Sequence, residues 1–413
     1  MTITDIGQGG DGIARRPDGA VVFIPLTVPG DVVRASVRMH PDGQNRGQIQ
    51  EIVTPGVDRV TPPCSHFGVC GGCTLQHFSP PAYLDVKTRW LREVLSRAQI
   101  SCPDIRPMMA IPAHTRRRSS FSVCRTAKDV IIGFNKRLSD EVVNISACQI
   151  LHPDIMTLRE RLKPYLMSLM TPRQTVDLMI QKVDHQVEMS VTGRLTINLT
   201  SQEILADMAH TLKISRINLR ARDRDMFEPL LSLTPFQKRF GDLTVDLPPG
   251  TFLQASDEAE QILAEQVTRF AIGARHVADL FSGSGLFTGH LMSQVQSITA
   301  VDVDAPAISA LTSRGIKAQV RNLFKDPLSP AELKRFDTVI LDPPRAGASA
   351  QSSALALSSV SKVIYVSCSP TSFARDARVL TAGGYALKTI QPLDPFIWSA
   401  HTELVSVFEK KQA

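Results

Sequence analysis

Along the 413 residues the spacing of apolar positions changes character three times. Residues 1–53 carry short apolar runs such as Val21-Val22-Phe23-Ile24-Pro25. Turn signals at Gln8-Gly9-Gly10-Asp11-Gly12, Pro17-Asp18-Gly19 and Val28-Pro29-Gly30-Asp31 separate them. Short strands joined by Gly/Pro turns predict a small β-barrel. Over 83–98 the period becomes helical, with Leu84, Trp90, Leu91, Val94 and Leu95 on one apolar stripe. Residues 111–240 are mixed: 120–124 and 130–134 read as strands, 155–169 as a helix. From about residue 250, buried runs at 277–281, 298–302, 338–342 and 363–367 alternate with helical stretches. That alternation predicts an α/β, doubly wound parallel sheet. The expected domains are a barrel over 1–53, an α+β middle domain over 54–245 and a Rossmann-like domain over 246–413, with part of 76–110 packing on the last.

Composition adds limits rather than a function. No apolar run approaches the roughly 20 residues that span a bilayer. The start, Met1-Thr2-Ile3-Thr4-Asp5-Ile6-Gly7, has neither a basic nor an apolar leader region, so the expected location is cytoplasmic. A formal charge of +6 permits a nucleic-acid partner without selecting one. Arg116-Arg117-Arg118 reads equally as an exposed strand end or as a phosphate contact.

Candidate chemistry gathers in two places. Three of the seven cysteines, Cys64, Cys70 and Cys73, lie within ten residues, among Gly68, Gly71 and Gly72. In a chain with no export signal such thiols read as ligands of a soft metal, and a fourth ligand must come from elsewhere. In the last domain, the run from Asp279 through Gly283 to Gly285 turns a strand end into a helix start. Asp302 and Asp342 end the next two buried runs. Strand ends line the crevice of such sheets, and the third glycine of a dinucleotide fingerprint is missing. A nucleotide-like ligand without a phosphate grip points to S-adenosylmethionine.

Cys368, in Ser367-Cys368-Ser369-Pro370, ends the fourth run. A core cysteine is the bland reading of such a position. At this edge, however, a thiolate suits addition to C6 of a pyrimidine, which makes C5 nucleophilic toward a methyl group. A base must then remove the C5 proton, and Glu403, in Ala400-His401-Thr402-Glu403, is the candidate. As a lone glutamate it also reads as a surface charge.

These residues together resemble the RNA 5-methyluridine methyltransferases, in the branch with an iron–sulfur cluster, over essentially the whole chain. The resemblance makes residues 1–53 TRAM-like and RNA-binding, and implies a class I S-adenosylmethionine-dependent fold for the last domain. It supplies Cys148 as the fourth ligand and a [4Fe–4S] cluster in place of zinc. It assigns Gln254, Phe281, Asp302, Asn322 and Asp342 to the methyl donor, Cys368 to the nucleophile and Glu403 to the base. The implied partner is structured RNA, with 23S ribosomal RNA preferred over the tRNA T-loop and the enzyme acting as a monomer. The cysteine site is expected to serve folding and RNA affinity, apart from the methyl-transfer step.

The chain departs from the family pattern at Ser256, at Leu286 and at Ile397-Trp398-Ser399, where asparagine, asparagine and Pro-x-Thr are usual. The rivals are a cytosine-C5 enzyme, an exocyclic-amine methyltransferase and a non-catalytic RNA-binding protein. Pro343-Pro344 lacks the cysteine of the first, and Arg345 stands where the second places an aromatic. Intact Cys368 and Glu403 argue against the third.

Overall fold

The computed structural model describes residues 1–411. The strands Ile3–Ile6, Gly12–Arg15, Val21–Ile24, Val32–Met39 and Asn45–Thr54 pair in the order first, second, third, fifth, fourth. A Thr2–Val32 bridge joins the last of these back to the first. Closure removes the exposed sheet edges and buries Ile3, Ala14, Val22, Ile24 and Val33 inside.

The middle of the chain builds a seven-stranded sheet. All neighbours are antiparallel except Gln186–Thr192 beside Arg216–Arg220. The helices Pro153–Leu169 and Leu199–Leu212 pack on it through Leu162, Leu166, Met208 and Ala209.

The last part forms the sheet that positions the chemistry. Lys317–Val320, Ser297–Asp302, His276–Leu280, Thr338–Leu341 and Lys362–Ser367 lie side by side and parallel. The pattern of buried runs anticipated four of these five. Beyond them the sheet turns antiparallel: Glu403–Lys410 pairs with Lys362–Ser367 and then with Tyr385–Asp394. This reversal matters for the site. An antiparallel strand begins where its parallel neighbour ends, so Leu404 lies opposite Ser367, and Glu403 starts at the edge where Cys368 follows.

Residues 104–110 extend the same sheet, with Asp104–Ile105 and Met109–Ala110 running beside Tyr385–Asp394. The helix Pro80–Arg97 bridges two layers. Leu91 and Leu95 enter the catalytic core, while Tyr83, Val86 and Trp90 pack with Ile6 and Val28 of the barrel. Its buried face therefore includes Tyr83, Val86 and Lys87, and leaves Leu84 and Val94 half-buried.

Candidate active site and cysteine site

The catalytic edge is assembled from strand ends. Asp279 ends its strand fully buried, and its Oδ2 accepts the Thr288 amide (3.0 Å) and hydroxyl (2.7 Å). Burial raises this carboxyl to about 6, and its Oδ1 has no partner. The next residues turn sharply: Phe281 lies at φ +64° and Gly283 at +50°. Gly285 is also left-handed, and a Cβ there would meet Leu311 Cδ2 at 2.6 Å, so glycine is required. At Gly283 a Cβ would meet only open space, and the buried Ser282 and Ser284 hydroxyls beside it have no partner.

Asp302 ends the next strand and accepts the Gly283 amide (2.9 Å) and the Asp304 amide (2.8 Å). Phe281 packs its ring against Phe324, whose amide donates to Asn322 Oδ1 at 3.1 Å. Gln254 lies in a separate loop, buried, with its carbonyl accepting from Arg117 Nε at 3.2 Å. Polar orphans beside an open glycine turn, flanked by aromatic rings and a strand-end carboxylate, fit an adenosyl ligand.

Cys368 sits two residues ahead of the helix Pro370–Ala382, whose N-cap Ser369 accepts the Ser372 amide. The half-buried thiol opens on a cavity of about 190 Å³, lined also by Gln8 of the barrel, Lys87, Arg345 and His401. Arg345 Nη2 donates to His401 Nε2 at 3.2 Å. The loop holding Arg345 is fixed from behind: Asp376 accepts the Ala348 amide, and Arg375 donates to the Ala346 carbonyl.

Glu403 is 4% exposed, and burial alone lifts its carboxyl to about 7. Asp342 is pushed well above the usual carboxylate range by burial and then by the Glu403, Asp279 and Asp302 charges. Burial, followed by the Glu403 and Asp342 charges, also raises the Cys368 thiol, and Arg345 opposes this. A thiol, a carboxyl poised near neutrality and a guanidinium thus share one edge. Such a group can add a nucleophile to a ring and move a proton.

Arg117 answers the question left by the arginine run. It is 2% exposed and donates to Asp257 and to Glu260 (2.5 Å), so it is neither a free strand end nor a phosphate contact. Its amide also donates to the Ala255 carbonyl, and Gln181 Nε2 donates to the Thr251 carbonyl. The loop carrying Gln254 is therefore tied to the middle sheet.

The four cysteines form a second site. Cys64, Cys70, Cys73 and Cys148, all half-buried, line one cavity of about 290 Å³ together with Gln76 and Arg116. The two segments are stitched together: the Gly71 amide donates to the Asn135 carbonyl, and the Ser146 amide to His66 Nε2 (2.9 Å). Burial, and then the charges of Cys148, Cys70 and Cys64, push the Cys73 thiol up to about 12. Among the described residues no three His, Cys, Asp or Glu side chains are gathered closely enough to hold a metal ion. As a donor set, four sulfurs around one cavity fit a thiolate-bound cluster, whose positive charge would offset their mutual repulsion.

Sequence reading missed Arg345 as a site residue, along with Lys87, Tyr83 and Asp394. One signal was available: Lys87 interrupts the apolar face of its helix, four residues after Tyr83.

The sheet order and the glycine-turn crevice define a Rossmann-like methyltransferase fold, and the family of methyltransferase small domains matches residues 242–362. The tRNA (uracil-54, C5)-methyltransferase of Pyrococcus abyssi superposes with a TM-score of 0.77, covering 98% of both chains at 22% identity, which establishes the shared fold. An uncharacterized RNA methyltransferase of Caulobacter vibrioides is 37% identical over 99% of both chains. A 23S rRNA (uracil(1939)-C(5))-methyltransferase of Halomonas elongata is 30% identical over 99% of this chain and 89% of its own. The chain belongs to this RNA methyltransferase family. No helix among the described residues is long and apolar enough to cross a membrane.

Proposed function

We propose that this protein methylates C5 of a uridine in RNA, with S-adenosylmethionine as donor and Cys368 and Glu403 as the reacting side chains. The observation that carries the reading is the meeting of a half-buried thiol with a buried carboxyl held near 7, at the donor edge of a methyltransferase sheet. The bound donor supplies an electrophilic methyl group. Cys368 Sγ adds to C6 of the uracil, and C5 becomes the carbon that accepts the methyl. Glu403 then takes the C5 proton, the C5–C6 double bond reforms, and the Cys368 thiolate leaves. Burial and the neighbouring carboxyls push the Asp342 carboxyl well up, and in its protonated form it can donate a hydrogen bond to the ring or the donor. Gln254, Phe281, Asp302 and Asn322 are the proposed donor contacts. A uracil must leave its stack to reach this cavity, which favours looped or single-stranded RNA.

The similarity to the Halomonas elongata enzyme favours 23S ribosomal RNA as the substrate. The proposed acting form is a cytoplasmic monomer. Cys64, Cys70, Cys73 and Cys148 are the proposed ligands of a [4Fe–4S] cluster, which would cross-link the cysteine loop to the strand region before Cys148. The test is transfer of labelled methyl to unmodified RNA, with 5-methyluridine mapped in 23S rRNA and tRNA from a deletion strain. Loss of the mark from 23S rRNA supports the reading. Loss from the tRNA T-loop alone would move the substrate, and full turnover by Cys368→Ala would defeat the covalent mechanism. Anaerobic purification should give a brown protein; a colourless one holding stoichiometric zinc would replace the cluster assignment.

A further inference from the structure

Eight residues, 395–402, join Asp394 to Glu403 and carry His401 to the cavity that Cys368 lines. At their centre Trp398 lies at φ +60°, a conformation that an L-residue holds only when its surroundings fix it. Both of its main-chain polar groups are held. The Trp398 amide donates to Tyr83 Oη at 2.8 Å. Its carbonyl accepts the Thr74 amide at 2.9 Å and the Leu75 amide at 3.0 Å.

Thr74 and Leu75 directly follow Cys73. Tyr83 is itself fixed: its hydroxyl donates to Asp394 and accepts from Trp398 and, at 3.2 Å, from Lys87 Nζ. One donor and two acceptor positions exhaust a phenol's capacity, so the hydroxyl has no freedom to turn. Lys87 and Asp394 form an ion pair with both side chains fully buried. Within the loop, Ser399 Oγ donates to the Phe396 carbonyl at 2.7 Å and accepts the His401 amide at 3.2 Å. The clamp therefore runs without a gap from the cysteine segment to the strand that begins with Glu403. It closes on Trp398, in the Ile397-Trp398-Ser399 stretch where this chain departs from the family pattern.

We propose that Tyr83 and the Thr74–Leu75 amides are positioning groups that set the Trp398 loop, and through it the placement of Glu403, so that the cysteine site acts on the proton-removal step. The inference rests on the reading of Glu403 as the base. It replaces the expectation that the cysteine site serves only folding and RNA affinity.

The two readings separate in one experiment. With methyl donor and unmodified RNA, a variant that cannot remove the C5 proton stalls after methyl transfer and leaves a denaturant-stable protein–RNA adduct. Tyr83→Phe should form this adduct at the wild-type rate, accumulate it, and turn over roughly 10- to 100-fold more slowly, with KM for RNA unchanged. Glu403→Gln runs alongside. If it accumulates no adduct, the assignment of the base fails. If it does and Tyr83→Phe turns over normally, or loses RNA binding without accumulating adduct, the positioning role fails.

Trp398→Gly and Trp398→Ala supply a second measurement that leaves the buried triad intact. Both lose the indole, so their difference reads the left-handed backbone alone. The alanine variant should turn over several-fold more slowly and accumulate more adduct, and equal behaviour would count against the clamp. The cysteine end is read by amide hydrogen exchange. In folded Cys73→Ser protein, residues 395–402 should exchange at least several-fold faster than in wild type. Unchanged protection there would disconnect the two sites.

Discussion

Two groups of buried sulfur in this molecule face opposite surroundings. Cys64, Cys70, Cys73 and Cys148 stand mainly among one another, and burial with mutual repulsion drives Cys73 to about 12. Cys368 stands alone among carboxyls, with Glu403 and Asp342 raising it and the Arg345 guanidinium opposing them. Burial raises Cys70, Cys73, Cys148 and Cys368 alike, but their neighbours differ. Under the proposed ligation, a cation held permanently among the sulfurs would relieve the first group. The second stands beside a carboxyl near 7, a group able to exchange protons at neutral pH. On the proposed roles, clustering goes with ligation and isolation among acids with catalysis, although burial alone is similar in both.

Cys368→Ala gives the sharpest test of that contrast and the largest expected effect. Turnover should fall roughly 10³-fold or more, and no adduct should form with 5-fluorouridine RNA, whose C5 has no proton to lose. S-adenosylhomocysteine should bind as before by calorimetry. Cys148→Ser is the matching change in the other group. It should abolish bound iron and visible absorption and lower stability on the order of several kcal/mol in a denaturant melt. A Cys148→Ser protein with wild-type iron content would remove that residue from the ligand set.

How much of this was legible from the chain follows from the distances involved. Asp302, Asp342 and Cys368 were readable because each ends a buried apolar run, and run ends in a parallel sheet share one edge. Glu403 was a candidate from the need for a base, but only the resemblance set it above a surface charge. Its placement depends on one antiparallel strand, and the short segments that reverse the sheet carry no distinctive period. The barrel was legible in its Gly/Pro turns, whereas its closure through Thr2 and Val32 was not. Arg117 was misjudged because a run of three arginines says nothing about partners 140 residues away. Tyr83, Lys87 and Asp394 escaped for the same reason: Asp394 lies about 310 residues from Tyr83, and only the lysine on an apolar helix face hinted at it.

Arg117 offers the next largest effect, because it joins the middle sheet to the donor loop. Arg117→Met leaves Asp257 and Glu260 with Lys238 alone, and the broken buried pair with Glu260 should cost roughly 3 kcal/mol in a urea melt. KM for the methyl donor should rise several-fold, since the Gln254 carbonyl loses its side-chain donor while the Ala255 carbonyl keeps only the main-chain amide. A stable variant with an unchanged donor KM would show that the loop is set from within the catalytic domain.

The smallest expected change in stability concerns Glu403 and separates its cost to the fold from its proposed use in the reaction. In the folded protein its carboxyl titrates at about 7, against 4.5 when free. Between those values the folded state keeps a proton that the unfolded chain has released. Stability therefore falls as pH rises from about 4.5 to 7, and does not fall further from this group above that. Glu403→Gln escapes the loss. It should match wild type near pH 4.5 and exceed it by on the order of 1–3 kcal/mol at pH 8. Over the same window wild-type turnover should rise with pH as the base ionises, while the glutamine variant, slower by about 10²-fold or more, should lose that rise. The fold gives up stability as the base becomes competent, through one ionisation. A glutamine variant no more stable than wild type at pH 8 would mean that Glu403 is solvated in the folded protein, and the contrast between its site and the cysteine cavity would lose its acid–base half.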